Sequence, residues 1–338
     1  MPSIQVAINK VLDRQDLSVA ESTEVFNEIM SGGATDAQIA ALIVGLRMKG
    51  EVADEITGAA AVMREKVHRV EPDNREFLVD TCGTGGDGAD TFNISTAAAL
   101  VAAGAGARVA KHGNRNVSSR CGSADVLEAL GITVTITPEQ MKQCLDQAGI
   151  AFLFAPTLHK AMKYAIGPRR EIAARTIFNV LGPLTNPAMA PAQVIGVFSA
   201  HLTETMATVL NNLGSTRAYV VHGMDGLDEI TLCGTTKVSE LSDGSIRTYT
   251  VQPEDYGLSR TERSALTGGD PAENAKIIKR ILDGEAGPRR DIVCLNAGFA
   301  LAAAGVAPSP AEGIEKAAAA IDTGAAVKKL QQLIDLTK

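Results

Sequence analysis

The sequence predicts an α/β protein with a small N-terminal α-helical domain and a larger α/β domain, whose mostly parallel sheet is flanked by helices. Residues up to about 70 carry helical signals only. From about residue 75, short apolar runs alternate with helical stretches, the pattern of a parallel sheet with helices on its faces. A chain of 338 residues is long enough for both parts. We therefore expect a helical domain over 1–72, joined by helices near 165–190, and an α/β domain over 73–338.

Two N-terminal helices carry their own start signals. Ser18-Val19-Ala20-Glu21 and Thr35-Asp36-Ala37-Gln38 both fit the capping box, in which two side chains three residues apart satisfy each other's backbone amides. Apolar residues of the second helix recur at spacings of three and four: Ile39, Leu42, Ile43 and Leu46. Gly50 then supplies a C-terminal stop. These patterns predict a small helical bundle.

The larger part of the chain alternates between strands and helices. Strands are predicted over 77–79, 107–110, 133–136, 151–154, 194–198 and 218–221. Helices are predicted over 95–103, 124–130, 138–148 and 203–213, and again from residue 311. Two further strands, 237–241 and 246–251, flank the turn Ser242-Asp243-Gly244-Ser245 and predict a hairpin.

The composition argues against several classes of protein. A net charge of -7 disfavours sequence-independent nucleic-acid binding, which needs a basic surface to displace counterions. The 5 cysteines are odd in number and form no CxxC pair, so we expect neither a disulfide framework nor a zinc site. No apolar signal core follows the N-terminus, and no apolar run is long enough to span a bilayer. We expect a cytoplasmic location, with no nucleic-acid and no membrane partner.

A glycine-rich loop follows the first predicted strand. In Cys82-Gly83-Thr84-Gly85-Gly86-Asp87, backbone amides are open to an anion because glycine has no Cβ in the way. The next helix starts near Asn93-Ile94-Ser95-Thr96, where free amides and the helix dipole favour a bound phosphate. The loop contains neither GxGxxG nor Gly-Lys-Ser/Thr, so it is neither a dinucleotide fingerprint nor a Walker loop. A purely structural turn is the alternative.

A polar cluster follows the second predicted strand. Lys111-His112-Gly113-Asn114-Arg115 stands at the carboxyl end of that strand, the edge where ligands bind in open α/β sheets. Lys111 is a point charge suited to phosphate or pyrophosphate, and Asn114 can both donate and accept. Three serines either continue this anion site or cap the following helix: Ser118, Ser119 and Ser123.

Charged pairs occur further along the chain. Asp228 and Glu229 follow a strand and a glycine turn, and adjacent carboxylates suit Mg²⁺, which takes oxygen ligands and keeps several waters. A solvated acidic turn is the alternative. Arg169 and Arg170 precede a helix, with His159 upstream, and an arginine fork is the natural partner of a carboxylate. Exposed loop arginines are the alternative there.

Together these segments resemble the anthranilate phosphoribosyltransferase family. The resemblance covers nearly the whole chain and rests on 80–87, 93–96, 111–119, 122–128, 175–179 with 181–187, and 221–231. The family condenses anthranilate with 5-phosphoribosyl-1-pyrophosphate in tryptophan biosynthesis, and it needs Mg²⁺. The resemblance also implies a homodimer, which we expect to form through the helical domain. A few residues depart from the family pattern: Asn116, Arg120, Cys121, Ala173 and Ala174.

The resemblance implies roles for individual residues. The donor would be held by Gly83, Thr84, Gly86, Asp87, Thr91, Asn93, Ser95, Thr96, Lys111, Ser119 and Ser123. Mg²⁺ would be bound by Ser95, Asp228 and Glu229. The anthranilate tunnel would be lined by His112, Asn114, His159, Arg169 and Pro183, with Arg169 facing the carboxylate. The expected catalytic residues are Asp87, Lys111 and Arg169. Because an aromatic amine is neutral at pH 7 and already nucleophilic, the implied reaction needs no strong general base.

Two other functions are alternatives. A pyrimidine nucleoside phosphorylase resembles this architecture and also acts at ribose C1, but its phosphate loop and its Lys-Ser pair differ from Lys111-His112-Gly113-Asn114. A non-catalytic relative that binds nucleic acid would need a basic groove and degraded motifs, whereas the motifs here are intact.

Overall fold

The N-terminal part is helical, as predicted, in a computed structural model that describes residues 3–86, 88–115 and 121–338. Its helices are α1 (Ser3–Leu12), α2 (Val19–Met30), α3 (Asp36–Lys49) and α4 (Ala53–Lys66). Both predicted capping boxes are present: Ser18 accepts from the Glu21 N–H, and Thr35 starts α3 in the same way. Gly50 ends α3 with a φ of 92°, as its sequence position predicts.

The rest of the described chain combines strands and helices. The strands are β1 (Leu78–Gly83), β2 (Arg108–Gly113), β3 (Ile150–Phe154), β4 (Ala192–Gly196), β5 (Arg217–Gly223), β6 (Thr236–Ser242) and β7 (Ser245–Val251). The helices are α5 (Ile94–Gly104), α6 (Ser123–Ala129), α7 (Pro138–Ala148), α8 (Ala155–Leu158), α9 (Ile166–Ile172), α10 (Phe178–Leu181), α11 (Leu202–Asn212), α12 (Pro271–Leu282), α13 (Pro288–Ala304), α14 (Pro310–Asp322) and α15 (Ala325–Leu336). Within the described ranges, none of these helices is long and apolar enough to cross a membrane.

The strands form one mostly parallel sheet in the order β3-β2-β1-β4-β5-β6-β7. The first five strands in this order pair in parallel, whereas β6 and β7 pair antiparallel as the predicted hairpin. The predicted fold class is therefore confirmed. The carboxyl ends of five strands meet at one edge of the sheet, which is where ligand sites lie in such folds.

Two of the predicted strands illustrate where the sequence and the structure differ. Residues 133–136 were expected to form a strand but lie outside the sheet; Thr133 N–H donates instead to Thr337 Oγ1 at 3.3 Å. Val134 and Ile136 are buried in the hydrophobic core, so their alternation records burial, which needs no strand ladder. Strand β1 begins one residue later than expected, because Phe77 has a φ of 57° and is 40% exposed.

One hydrophobic core, here named the shared core, joins the N-terminal helices to the sheet. It includes Phe26 of α2 and Phe178 of α10, whose rings meet edge to face with centroids 5.9 Å apart. It also includes Leu210 of α11, Ile195 of β4 and Val220 of β5, all fully buried. Each such side chain stabilises the fold by about 1.5–3 kcal/mol. The N-terminal helices are therefore packed against the α/β part.

Candidate active site

The loop after β5 folds onto the glycine-rich loop after β1. Asp228 Oδ2 accepts a hydrogen bond from Gly85 N–H at 2.8 Å. A Cβ atom at Gly83 would lie 2.6 Å from the same carboxylate oxygen, and one at Gly196 would overlap the main-chain carbonyl of Asp228. Both positions therefore require glycine if Asp228 is to reach the loop.

Glu229 and Lys111 meet at the N-terminus of α5. Glu229 Oε1 accepts a hydrogen bond from Ser95 N–H at 3.1 Å. The Lys111 ammonium donates to the Ser95 hydroxyl at 3.4 Å and to the Thr81 carbonyl. An acidic pair, a hydroxyl and an ammonium thus surround a helix start, where backbone amides favour an anion. These groups are the parts needed to bind a metal–pyrophosphate complex.

The Lys111 ammonium is buried inside this cluster, with a residue exposure of 4%. Burial lowers its pKa, since the charged form loses hydration. Asp80 opposes this shift most strongly, because its negative charge favours the ammonium, and Glu229 and Asp228 act in the same direction. The surrounding carboxylates therefore favour the charged form of Lys111.

Two imidazoles face each other beside this cluster. His112 Nε2 and His159 Nε2 lie 3.1 Å apart, and His112 Nδ1 lies 3.2 Å from the carbonyl oxygen of Gly182. A carbonyl can only accept, so a neutral His112 carries its proton on Nδ1, and its Nε2 is the acceptor that faces His159. Burial lowers the pKa of His112 well below its usual value, and that of His159 to about 4. Both rings are neutral at pH 7 and act as hydrogen-bonding groups.

Arg169 lies inside α9, so the expectation that Arg169 and Arg170 precede a helix is wrong, and Pro183 directly follows α10. The Arg169 guanidinium sits 5.1 Å above the Phe178 ring, and burial lowers its pKa. No carboxylate lies within ion-pair distance of Arg169 among the described residues. Pro183 is buried, and its carbonyl accepts from Gln193 Nε2 at 3.0 Å. A half-buried guanidinium without an acidic partner is suited to a carboxylate ligand.

Several predicted donor-binding side chains are already engaged within the protein. Thr84 Oγ1 accepts from Phe198 N–H at 3.0 Å. The Asn93 amide donates to the Cys121 carbonyl at 3.2 Å and accepts from Asn274 at 3.0 Å. The structure thus brings these residues to the carboxyl edge of the sheet, as expected. Their side chains, however, form hydrogen bonds within the protein that fix the loops.

Other predicted residues have different positions. Thr91 forms an isolated bridge with Thr267, and the buried Thr96 hydroxyl makes no hydrogen bond to a described residue. Ser123 Oγ donates to the Asn114 carbonyl at 3.2 Å. Since Gly122 is the N-cap of α6, the alternative in which Ser123 caps this helix is wrong. Five residues named in the sequence interpretation lie outside the described ranges: Asp87, Asn116, Ser118, Ser119 and Arg120.

Two residues of this region were missed by sequence reasoning. Gly196 stands inside a predicted strand, where an isolated glycine is a known signal of close backbone approach. Arg175 donates to the Gly86 carbonyl and lies 4.3 Å from the Phe198 ring centroid. The sequence shows Arg175 within a motif, but it does not show that Arg175 contacts the glycine-rich loop, which lies almost ninety residues earlier.

The fold and the site define a class of transferase. Residues 5–67 match the helical bundle domain of a glycosyl transferase family, and residues 75–327 match the α/β domain of that family. This class joins a helical bundle to an α/β domain, as observed here.

Comparison with individual proteins narrows the class. The chain is 57% identical to the anthranilate phosphoribosyltransferase of Moorella thermoacetica, over 98% of this chain and 97% of that one. It is 54% identical to that of Geobacter sulfurreducens, over 99% of both chains. Its fold matches the crystal structure of the Thermus thermophilus enzyme with a TM-score of 0.93 and 43% identity, covering 98% and 99% of the two chains. It also matches the Saccharomyces cerevisiae enzyme in complex with PRPP and Mg, with a TM-score of 0.89 and 27% identity, covering 99% and 97%. The chain belongs to the anthranilate phosphoribosyltransferase family.

Proposed function

We propose that this protein transfers the 5-phosphoribosyl group from 5-phosphoribosyl-1-pyrophosphate to the amine of anthranilate, giving N-(5-phosphoribosyl)anthranilate and pyrophosphate. This is a step of tryptophan biosynthesis. The relatives that share more than half of its residues over nearly the whole chain carry that activity in their names. The observation that carries the proposal is the approach of Asp228 and Glu229 to the amides of Gly85 and Ser95 beside Lys111.

The donor's diphosphate fits the groups at the start of α5. Glycine-loop amides and the helix N-terminus would receive phosphate oxygens, and Lys111 would add a fixed positive charge. Asp87 belongs to the same proposed set, together with Gly83, Gly86 and Ser119. As the C1–oxygen bond of the donor breaks, negative charge grows on the leaving diphosphate. Lys111 and the helix amides would stabilise this charge.

The donor set also fits Mg²⁺. Asp228, Glu229 and Ser95 offer two carboxylates and a hydroxyl, the hard oxygen ligands that this ion prefers. Among the described residues, no group of three or more His, Cys, Asp or Glu side chains is arranged so that it could hold a metal ion by itself. Two carboxylates are sufficient, because Mg²⁺ keeps several waters and also binds the substrate's phosphates. Bound Mg²⁺ would supply Lewis-acid stabilisation of the departing diphosphate.

Anthranilate would bind between Arg169 and the histidine pair. The Arg169 guanidinium would pair with the anthranilate carboxylate, and Asn114 would help to orient the ring. His112 and His159, being neutral, would offer hydrogen bonds without repelling or attracting charge, and Pro183 would form part of the wall. The protein would then only need to position anthranilate against the donor, since the amine is nucleophilic without a base.

A fluorescence assay tests the activity. Anthranilate emission should fall when protein, Mg²⁺ and the pyrophosphorylated donor are all present, and it should stay constant when any one is omitted. Thymidine with phosphate is the control substrate pair. Phosphorolysis of thymidine together with unchanged anthranilate emission would contradict the proposal.

We further propose a homodimer formed through the helical domain. Helices α1 and α3 carry exposed apolar side chains, namely Val6, Leu12, Val44 and Met48, with Met48 72% exposed. A second copy of the chain is the occupant expected for this patch. Light scattering should give twice the chain mass for the native protein and one chain mass for Met48→Glu combined with Leu12→Glu. A native protein of one chain mass would contradict the proposal.

The domain boundary and the location are also proposals. Residues 1–72, with helices near 165–190, would form the helical domain, which is supported by the contact between α2 and α10. A cytoplasmic location is supported by cysteines that are all free thiols: Cys82, Cys121, Cys144, Cys233 and Cys294.

A further inference from the structure

Strands β1 and β2 separate at their carboxyl ends. Their registered pairs end at Val79 with Val109. In contrast, β1 stays paired with β4 as far as Gly83, and β2 stays paired with β3 as far as Gly113. The opening between β1 and β2 is here called the seam. It lies at the sheet edge that carries the candidate active site.

Side chains bridge the seam in place of the strand ladder. Asp80 Oδ1 accepts from the backbone N–H of His112 at 3.0 Å. The Lys111 ammonium crosses in the other direction to the Thr81 carbonyl, and Asn186 Nδ2 donates to the Ala110 carbonyl at 2.7 Å. Backbone groups that a ladder would satisfy are thus satisfied by these three side chains.

The negative charge of Asp80 is not needed for its hydrogen bond to His112, which a neutral acceptor could also form. The residue is fully buried, and its Oδ2 makes no hydrogen bond of ordinary geometry to a described residue. Burial raises the pKa of Asp80, while the Asn186 amide, the His112 N–H and the Lys111 charge oppose that shift. An asparagine could accept from His112 equally well without the cost of a buried carboxylate. The neighbouring group that gains from a negative charge is Lys111, which directly precedes His112 in the chain and whose ammonium donates to the carbonyl of Thr81, the residue after Asp80.

We propose that Asp80 is a positioning residue for the transfer reaction: its carboxylate bridges the seam and supplies the fixed charge that holds the Lys111 ammonium toward the donor's phosphates. The identity of that donor rests on the proposed function. Asp80 acts through Lys111 and His112 and need not touch the substrate.

Asp80→Asn is the primary test, since it keeps an acceptor for His112 and removes only the charge. We expect donor affinity, measured by calorimetry with Mg²⁺ and no anthranilate, to weaken at least about tenfold, the usual scale for a lost charged contact. The kcat should fall by a similar factor, with the anthranilate KM within about twofold of the native value. Asp73→Asn, an exposed carboxylate on the same chain, is the matched control and should change neither quantity.

A double-mutant cycle with Lys111→Met separates positioning from a general structural role. If Asp80 acts through Lys111, adding Asp80→Asn to Lys111→Met should cost less than about twofold in further donor affinity. Independent, multiplying losses would overturn the proposal, as would native donor affinity in Asp80→Asn alone.

Two further measurements keep the test decisive. If Asp80→Asn does not fold, Asp80→Glu retains the charge and moves it by one methylene. It should fold, bind donor more weakly and keep the native anthranilate KM, and a native donor affinity would overturn the proposal. A native protein that binds the donor but consumes no anthranilate would refute the proposed function. Donor calorimetry would still decide the role of Asp80.

Discussion

Replacing Gly196 with alanine tests whether the close approach of two loops creates the active site. A Cβ at Gly196 would lie 2.5 Å from the carbonyl carbon of Asp228, and closer still to its oxygen, whereas ordinary contacts begin at 3.4 Å. The backbone at Asp228 must therefore move by at least about 1 Å, a displacement that can reduce turnover by about a hundredfold. The overlap should also lower the free energy of unfolding by about 1–3 kcal/mol.

The assay for Gly196→Ala is Mg²⁺-dependent anthranilate consumption, with thermal unfolding measured in parallel. Turnover should fall by about a hundredfold, and the Mg²⁺ concentration for half-maximal rate should rise, because Asp228 would be displaced from the proposed metal site. Gly234→Ala is the matched control, since a Cβ there would meet no atom within 4 Å. Native turnover with native metal dependence in a folded Gly196→Ala protein would refute the reasoning.

Three further predictions concern the chemistry of the site. Arg169→Ala should raise the anthranilate KM by about ten- to a hundredfold, since a charge-assisted hydrogen bond is worth about 1.5–3 kcal/mol, and change the donor KM little; equal effects on both would contradict the assignment of Arg169 to the carboxylate. Asp228→Asn combined with Glu229→Gln should nearly abolish turnover at ordinary Mg²⁺, and a metal titration curve like that of the native protein would remove both residues as ligands. The pKa of His159 falls from 6.5 to about 4 on folding, so the unfolded chain binds the extra proton between these pH values and stability rises with pH across that window. Urea unfolding at pH 4.5 and pH 7 should show His159 contributing up to roughly 3 kcal/mol of this difference, and His159→Asn should flatten it; an equally steep dependence in the variant would contradict the burial argument.

Local signals were sufficient for most of the fold. The capping box at Ser18 and the glycine stop at Gly50 depend on residues within one or two turns, so the sequence contains all the information needed. Residues 133–136 show the limit of such signals. Their alternation of apolar side chains reports burial, and burial in the core outside the sheet looks the same in sequence as burial in a strand.

The candidate site was predictable in its residue types but not in its bonds. Lys111 and Asp228 could be chosen because their chemistry fits phosphate and Mg²⁺ at the ends of predicted strands. Gly196, Arg175 and Asp80 act through partners that are distant in sequence, and spacing carries no information about them. Asn93 and Thr84 were chosen as ligand groups, but the structure also uses them to fasten loops.

The shared core has a practical consequence for anyone who divides this chain. Cutting after residue 72 would remove α4, which packs against α11, the helix that carries the fully buried Leu210. The α/β part produced by itself would expose an apolar surface to solvent, so it should aggregate or bind chaperones. Co-expression of the two fragments is the better route, because each fragment would cover the apolar surface of the other.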